Sequence, residues 1–130
     1  SIEHVLAQYD CQIRPTQPGT GGAAIDIEIV PGDPDAAPIW VSASKGDVYL
    51  LIGEACGIEF GEASEAQLLA TIEAVAEGHF SERVWTDREG NTYASVGTIE
   101  IEGVARRFYR NGLWDRHAGG RLIKYAQYPI

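Results

Sequence analysis

The chain has 130 residues with 19 acidic and 10 basic side chains, a net charge of −9, 45% apolar residues, two cysteines and no methionine. This balance is that of a globular chain and gives no case for disorder, while the acidic excess argues against nucleic acid as a direct partner, because phosphate binding draws on Lys and Arg. No apolar run approaches the roughly 20 residues that cross a bilayer and no leader pattern opens the chain, so the expectation is a cytoplasmic protein with no membrane association.

In chain order, Ile2, Val5, Leu6 and Tyr9 recur at helical spacing and predict a short opening helix. Pro15 to Gly22 is rich in Pro and Gly and reads as a loop within one domain spanning residues 1–130. From Ala23 to Val30, Ile25, Ile27 and Ile29 alternate with Asp26 and Glu28, which predicts a strand with one wet, acidic face. Pro31 to Asp35 is a turn-rich connector. Pro38 to Ser44 predicts a second strand, joined through Lys45-Gly46-Asp47 as a hairpin to Val48-Tyr49-Leu50-Leu51-Ile52. That run is apolar at successive positions, so both its faces are expected to be covered at the centre of a sheet.

Ser64-Glu65-Ala66-Gln67 has the pattern of a capping box, and Leu68, Leu69, Ile72, Val75 and Ala76 form one apolar stripe behind it. A helix over 64–77 is predicted, stopped by Gly78 and packed on the face carrying Ile25, Ile27 and Ile29. Phe80–Thr86 and Thr92–Ile101 predict strands about a turn with Gly90 in the left-handed region, and Glu102-Gly103 turns into a strand over Val104–Arg110. Glu100 and Glu102 are expected to face Arg106 or Arg107 across that hairpin. Asn111-Gly112 turns again, and Arg121 to Tyr128 ends the chain as a strand. The fold class is therefore α+β, a mainly antiparallel, curved sheet of about 6–8 strands with the helix 64–77 on one face and a short N-terminal helix.

The chemistry-bearing inventory is thin. His4, His79 and His117 have neither helical i, i+4 spacing nor a companion Cys-x-x-Cys, so no metal and no cofactor is expected. Cys56, flanked by Gly53 and Gly57, is the sharpest candidate nucleophile, although a buried thiol at a tight bend explains the same pattern. Glu54, Glu59 and Glu62 precede a helix, where acids are favoured by the helix dipole. Arg106, Phe108 and Arg110 share one strand face and Arg107 and Tyr109 the other, so these bases do not form one platform.

Charge distribution says more than the total. Residues 1–80 hold 13 acids and two bases, whereas residues 81–130 hold six acids and eight bases. The expected function is an acidic protein-binding module, analogous in size and charge to bacterial immunity proteins or chaperones, that occupies a basic surface of a partner. Its contact residues would be Asp26, Glu28, Asp33, Asp35, Asp47, Glu54, Glu59 and Glu62. The alternative is a small-ligand domain with a pocket between helix 64–77 and the sheet, lined by Trp85, Tyr93 and Phe108. An enzyme using Cys56 ranks below both, and an exposed strand edge leaves a homodimer open.

Overall fold

The computed structural model describes residues 1–16, 25–61, 64–110 and 119–130. Helix α1 (Ile2–Leu6) leads into β1 (Cys11–Pro15), β2 (Ile25–Pro31), β3 (Ile39–Ser44), β4 (Asp47–Ile52) and β5 (Cys56–Phe60), then helix α2 (Glu65–Ala76) and β6 (Phe80–Thr86), β7 (Thr92–Ile101), β8 (Val104–Arg110) and β9 (Arg121–Lys124). The α+β class is as expected. The strands form two antiparallel sheets, ordered β1-β2-β3-β4-β5 and β8-β7-β6-β9. Helix α2 breaks the succession of hairpins, so β6 starts a second sheet instead of extending the first. Among the described residues no helix is long and apolar enough to cross a membrane.

Two turns set register. Lys45 and Gly46 have φ of 49° and 84°, and Glu102 and Gly103 have φ of 52° and 78°. Two consecutive left-handed residues give the two-residue turn whose twist matches that of the flanking strands. Ser44 therefore sits opposite Asp47, and Ile101 opposite Val104.

Alternation then sorts the first sheet into two faces. Ile29, Ile39, Ile52 and Cys56 form one inward row, and Ile27, Val41, Leu50 and Ile58 the next. Leu68, Ile72 and Val75 of α2 join these in one buried cluster, with Ile27 packed against it, as the apolar stripe predicts. The expectation that both faces of 48–52 are covered is not met. Leu50 and Ile52 are fully buried, but Tyr49 is 47% exposed and Leu51 half-buried, because both helices pack on the inner side of the sheet.

The capping box is also corrected. Ser64 caps α2 with φ −110° and ψ 20° and makes no side-chain bond to the helix, since a turn in which its amide donates to the Gly61 carbonyl precedes the helix and turns the residue out of the extended region a cap requires. The C-terminus is as predicted. Gly78 adopts φ +84°, its amide donates to the Val75 carbonyl and that of His79 to the Ala74 carbonyl, the Schellman pattern.

In the second sheet Phe80, Glu82 and Val84 of β6 lie opposite Ile99, Gly97 and Ser95 of β7, facing the first sheet. Gly97 is required there by close approach, since a Cβ would stand 2.4 Å from the Cys56 Sγ. The predicted Glu–Arg pairing across β7 and β8 does not form. Arg106 lies opposite Ile99, Arg107 opposite Thr98, and Glu100 opposite Ala105, because the two-residue turn at 102–103 shifts the acids one step away from the arginines. Asn111, Gly112, Trp114 and His117 lie outside the described residues.

Candidate functional site

The outer face of the first sheet gathers three of the eight predicted contact carboxylates together with Trp40 and Tyr49. One outward row, read from β1 to β5, is Arg14, Glu28, Trp40, Leu51 and Gly57. The next, from β2 to β5, is Asp26, Ser42, Tyr49 and Glu59. Each aromatic ring thus has a carboxylate on the same row, Trp40 directly opposite Glu28 and Tyr49 directly opposite Glu59, at the roughly 5 Å separation of cross-strand neighbours. Trp40 and Tyr49 are diagonal neighbours on adjacent strands, a separation that aromatic side chains bridge.

Gly57 shapes this surface. A Cβ on it would lie 2.0 Å from the Tyr49 hydroxyl oxygen, so the phenol end of Tyr49 rests on the bare backbone of β5. Beside Trp40 and Leu51, a shallow depression of about 570 Å³ is walled by Pro34, Pro38, Gly53 and Tyr125. Apolar and aromatic groups at the centre with carboxylates around them match the anatomy of a protein interface, an anchoring core within a polar rim.

The predicted contact residues divide on this face. Asp26, Glu28 and Glu59 are brought together, and no ion pair to any of them occurs among the described residues. Arg14, directly opposite Glu28, donates instead to the Gln12 Oε1 at 2.9 and 2.6 Å. Asp47 is exposed at the hairpin end of the sheet. Asp33 and Asp35 lie in the β2–β3 connector at the opposite end, where the Asp33 Oδ1 accepts the Asp35 amide at 2.8 Å. Glu54 is bidentate to Arg121 at 3.0 and 3.1 Å. Glu62 lies outside the described residues.

A residue that the sequence analysis passed over supports this face from behind. Glu82 is 1% exposed, and its carboxylate accepts the amides of Glu54 at 2.6 Å and Ala55 at 3.3 Å together with the Tyr125 hydroxyl. It ties the β4–β5 turn and the C-terminal segment, two walls of the depression, to the second sheet. Burial holds its carboxyl above the usual carboxylate range, and the three donors offset that only in part. The same burial, with the carboxylate beside it, raises the Tyr125 phenol. Gly53 takes φ +64° here, and a Cβ would lie 2.4 Å from the Glu82 Oε1. The signal was present in the sequence: Phe80, Glu82 and Val84 alternate on one apolar face.

Cys56 lacks the properties a nucleophile needs. Its thiol is buried, and burial followed by the nearby Glu82 charge pushes it up to about 12, whereas reactive cysteines have depressed values. Cys11 is the second free thiol. In the folded chain iodoacetamide at about pH 8 is expected to modify Cys11 first and Cys56 only after denaturant is added; rapid labelling of Cys56 in the native state would show this description of the site to be wrong.

The alternative pocket residues are distributed over both faces of the second sheet. Phe108 lines a groove of about 400 Å³ between α2 and strands β5, β7 and β8, with Phe60, Gln67, Thr71 and Ile101. Trp85 borders a depression on the opposite, outward face, and Tyr93 is exposed. Among the described residues no three His, Cys, Asp or Glu side chains converge on a point that could hold a metal ion. Comparison with protein-family models, curated proteins and solved structures finds no significant match to this chain.

Proposed function

We propose that this chain is a protein-binding module whose first sheet presents an acidic, aromatic face to a basic surface on a partner protein. The observation that carries the proposal is the register placing Asp26, Glu28 and Glu59 around Trp40, Tyr49 and Leu51 on one outward face. Unpaired carboxylates supply long-range attraction and speed encounter, and the aromatic centre supplies desolvated contact once the partner is seated. Five strands at about 4.8 Å spacing span about 19 Å, so this face supplies the centre of an interface and the rim loops the rest of the roughly 800 Å² that one partner contributes to a standard one. An inhibitory role of the immunity type, or a chaperone role, fits a small acidic chain that occupies a cationic surface.

The test is capture of a partner on the immobilised chain at low and high salt, with a face variant as the control. A basic protein retained at about 50 mM salt, released at about 500 mM and lost with Glu28→Lys/Glu59→Lys supports the proposal. Retention that ignores both salt and the face variant refutes it.

A further inference from the structure

The outward face of the second sheet has the opposite chemistry, and it suggests a second binding site. Register places Arg107, Thr98, Ser81 and Lys124 in one row across β8, β7, β6 and β9, with Arg83 on the adjacent row. The row runs cation, hydroxyl, hydroxyl, cation over three strand spacings, about 14 Å. Its two ends carry long side chains that can reach inward over the hydroxyls.

Among the described residues this row has no paired counter-charge. Acids outnumber bases 19 to 10 in this chain, yet among the described residues no carboxylate forms an ion pair with this row. Glu82 is bound on the inner side to Glu54, Ala55 and Tyr125. Glu100 shares the face two residues along β7 from Thr98, opposite Ala105 and diagonal to Arg107, and makes no ion pair with it. None of Arg83, Arg107 and Lys124 is in an ion pair among the described residues. Arg83 is held in place, its Nη1 donating to the Gly120 carbonyl at 2.7 Å. Clustered like charges repel, and an anion placed between them relieves that repulsion.

A depression of about 470 Å³ lies beside this row, lined by Ser81, Glu82, Arg83, Trp85, Thr98 and Arg107, with Lys124 outside its lining; its volume is within the size range of small-ligand sites. We infer that this face binds a short oligophosphate, free or carried by a nucleoside, with its oxygens along the Arg107–Thr98–Ser81–Lys124 row. Guanidinium and ammonium groups at the two ends supply charge, and the two hydroxyls between them donate to further phosphate oxygens. This site is independent of the acidic face and of the function proposed for it.

The experiment is calorimetric titration of the whole chain with tripolyphosphate and, separately, with ADP at about 20 mM ionic strength, where exposed charges are least screened. Saturable one-to-one binding is expected, weakened about tenfold by Arg107→Gln and about tenfold again by Lys124→Gln. Arg88→Gln, in the exposed β6–β7 turn, is expected to leave it unchanged. All three side chains are exposed, and circular dichroism identical to that of the parent chain verifies each variant. ADP binding at least as tightly as tripolyphosphate identifies a nucleoside-borne ligand, and preference for tripolyphosphate a free one; both support the inference. It is overturned by no saturation with either anion up to about 5 mM, or by an equal loss with Arg88→Gln, which would reduce the effect to bulk charge. It is also overturned if Arg107→Gln abolishes a salt-sensitive self-association in the absence of anion, since the face would then belong to a second copy.

Discussion

Glu82→Ala is expected to lower the free energy of unfolding by about 3–5 kcal/mol, the largest effect of any single polar substitution in this chain. Truncation leaves the amides of Glu54 and Ala55 and the Tyr125 hydroxyl without their acceptor. It also opens a void where a fully buried side chain joined the two sheets. Each stranded buried donor costs about 1–3 kcal/mol, although water entering the void recovers part of this. Urea denaturation of the variant measures the loss, and a midpoint within error of the parent would refute the assigned role. Glu82→Gln keeps an acceptor oxygen and the volume, so its cost is expected to be smaller, about 1–2 kcal/mol.

The same pair of variants carries a pH signature. The Glu82 carboxyl titrates higher in the folded chain than in the unfolded one, with burial as the first cause. The folded state therefore holds the proton more tightly, and this group favours folding most at low pH. Its contribution falls as pH rises from the ordinary carboxylate value, about 4.3, through the raised folded value, and is flat above that. Urea midpoints measured from about pH 4 to pH 8 are expected to show a decline in the parent chain that Glu82→Gln lacks. Parallel profiles in the two proteins would mean that the folded carboxyl is not raised.

Reversing charge on the acidic face is expected to do the converse, abolishing binding while leaving the fold intact. Glu28→Lys/Glu59→Lys replaces two carboxylates that flank Trp40 and Tyr49 with cations. Facing a basic partner, each reversal removes an attraction and introduces a repulsion, and the pair together is expected to weaken binding about a hundredfold or more. Much of that loss is expected in the association rate, and it should shrink as salt rises. Surface substitutions of this kind usually shift stability by no more than about 0.5 kcal/mol. Asp33→Lys is a poorer probe, because the Asp33 carboxylate holds its own turn through the Asp35 amide. A double variant with an unchanged unfolding midpoint and unchanged partner affinity would remove the first-sheet face from consideration.

Much of the fold was legible wherever a local rule had no competitor. Ile25, Ile27 and Ile29 against Asp26 and Glu28 specified a strand with an acidic outer side, and Gly78 specified where α2 stops. Local rules failed where a second local preference or a distant surface intervened. Ser64 has the residue type of a cap but not the backbone, since the turn closed onto Gly61 rotates it. Val48 to Ile52 is apolar throughout, yet its outer side is left open because both helices pack on the inner side. Glu100 and Arg107 have the right charges, but register offsets them.

The candidate face was half legible for the same reason. A two-residue turn at Lys45-Gly46 dictates that Trp40 pairs with Leu51 and Ser42 with Tyr49, so the β3–β4 part of both outward rows follows from sequence. The neighbours contributed by β2 and β5 depend on longer connections whose geometry no turn rule specifies, and the Glu54 carboxylate is paired by Arg121, 67 positions away in sequence.

By itself, then, the sequence determined most of the elements, the positions of the tight turns and the polarity of the chain, because side-chain alternation, turn chemistry and charge counts are properties of neighbouring residues. Only the tertiary structure decided that the strands part into two sheets, that Glu82 joins them, and that carboxylates and cations collect on separate outward faces. Those outcomes depend on which buried donors meet which acceptors at sequence separations of 27 to 43, and a chain closes such contacts only when the burial of apolar surface offsets the loop entropy they cost.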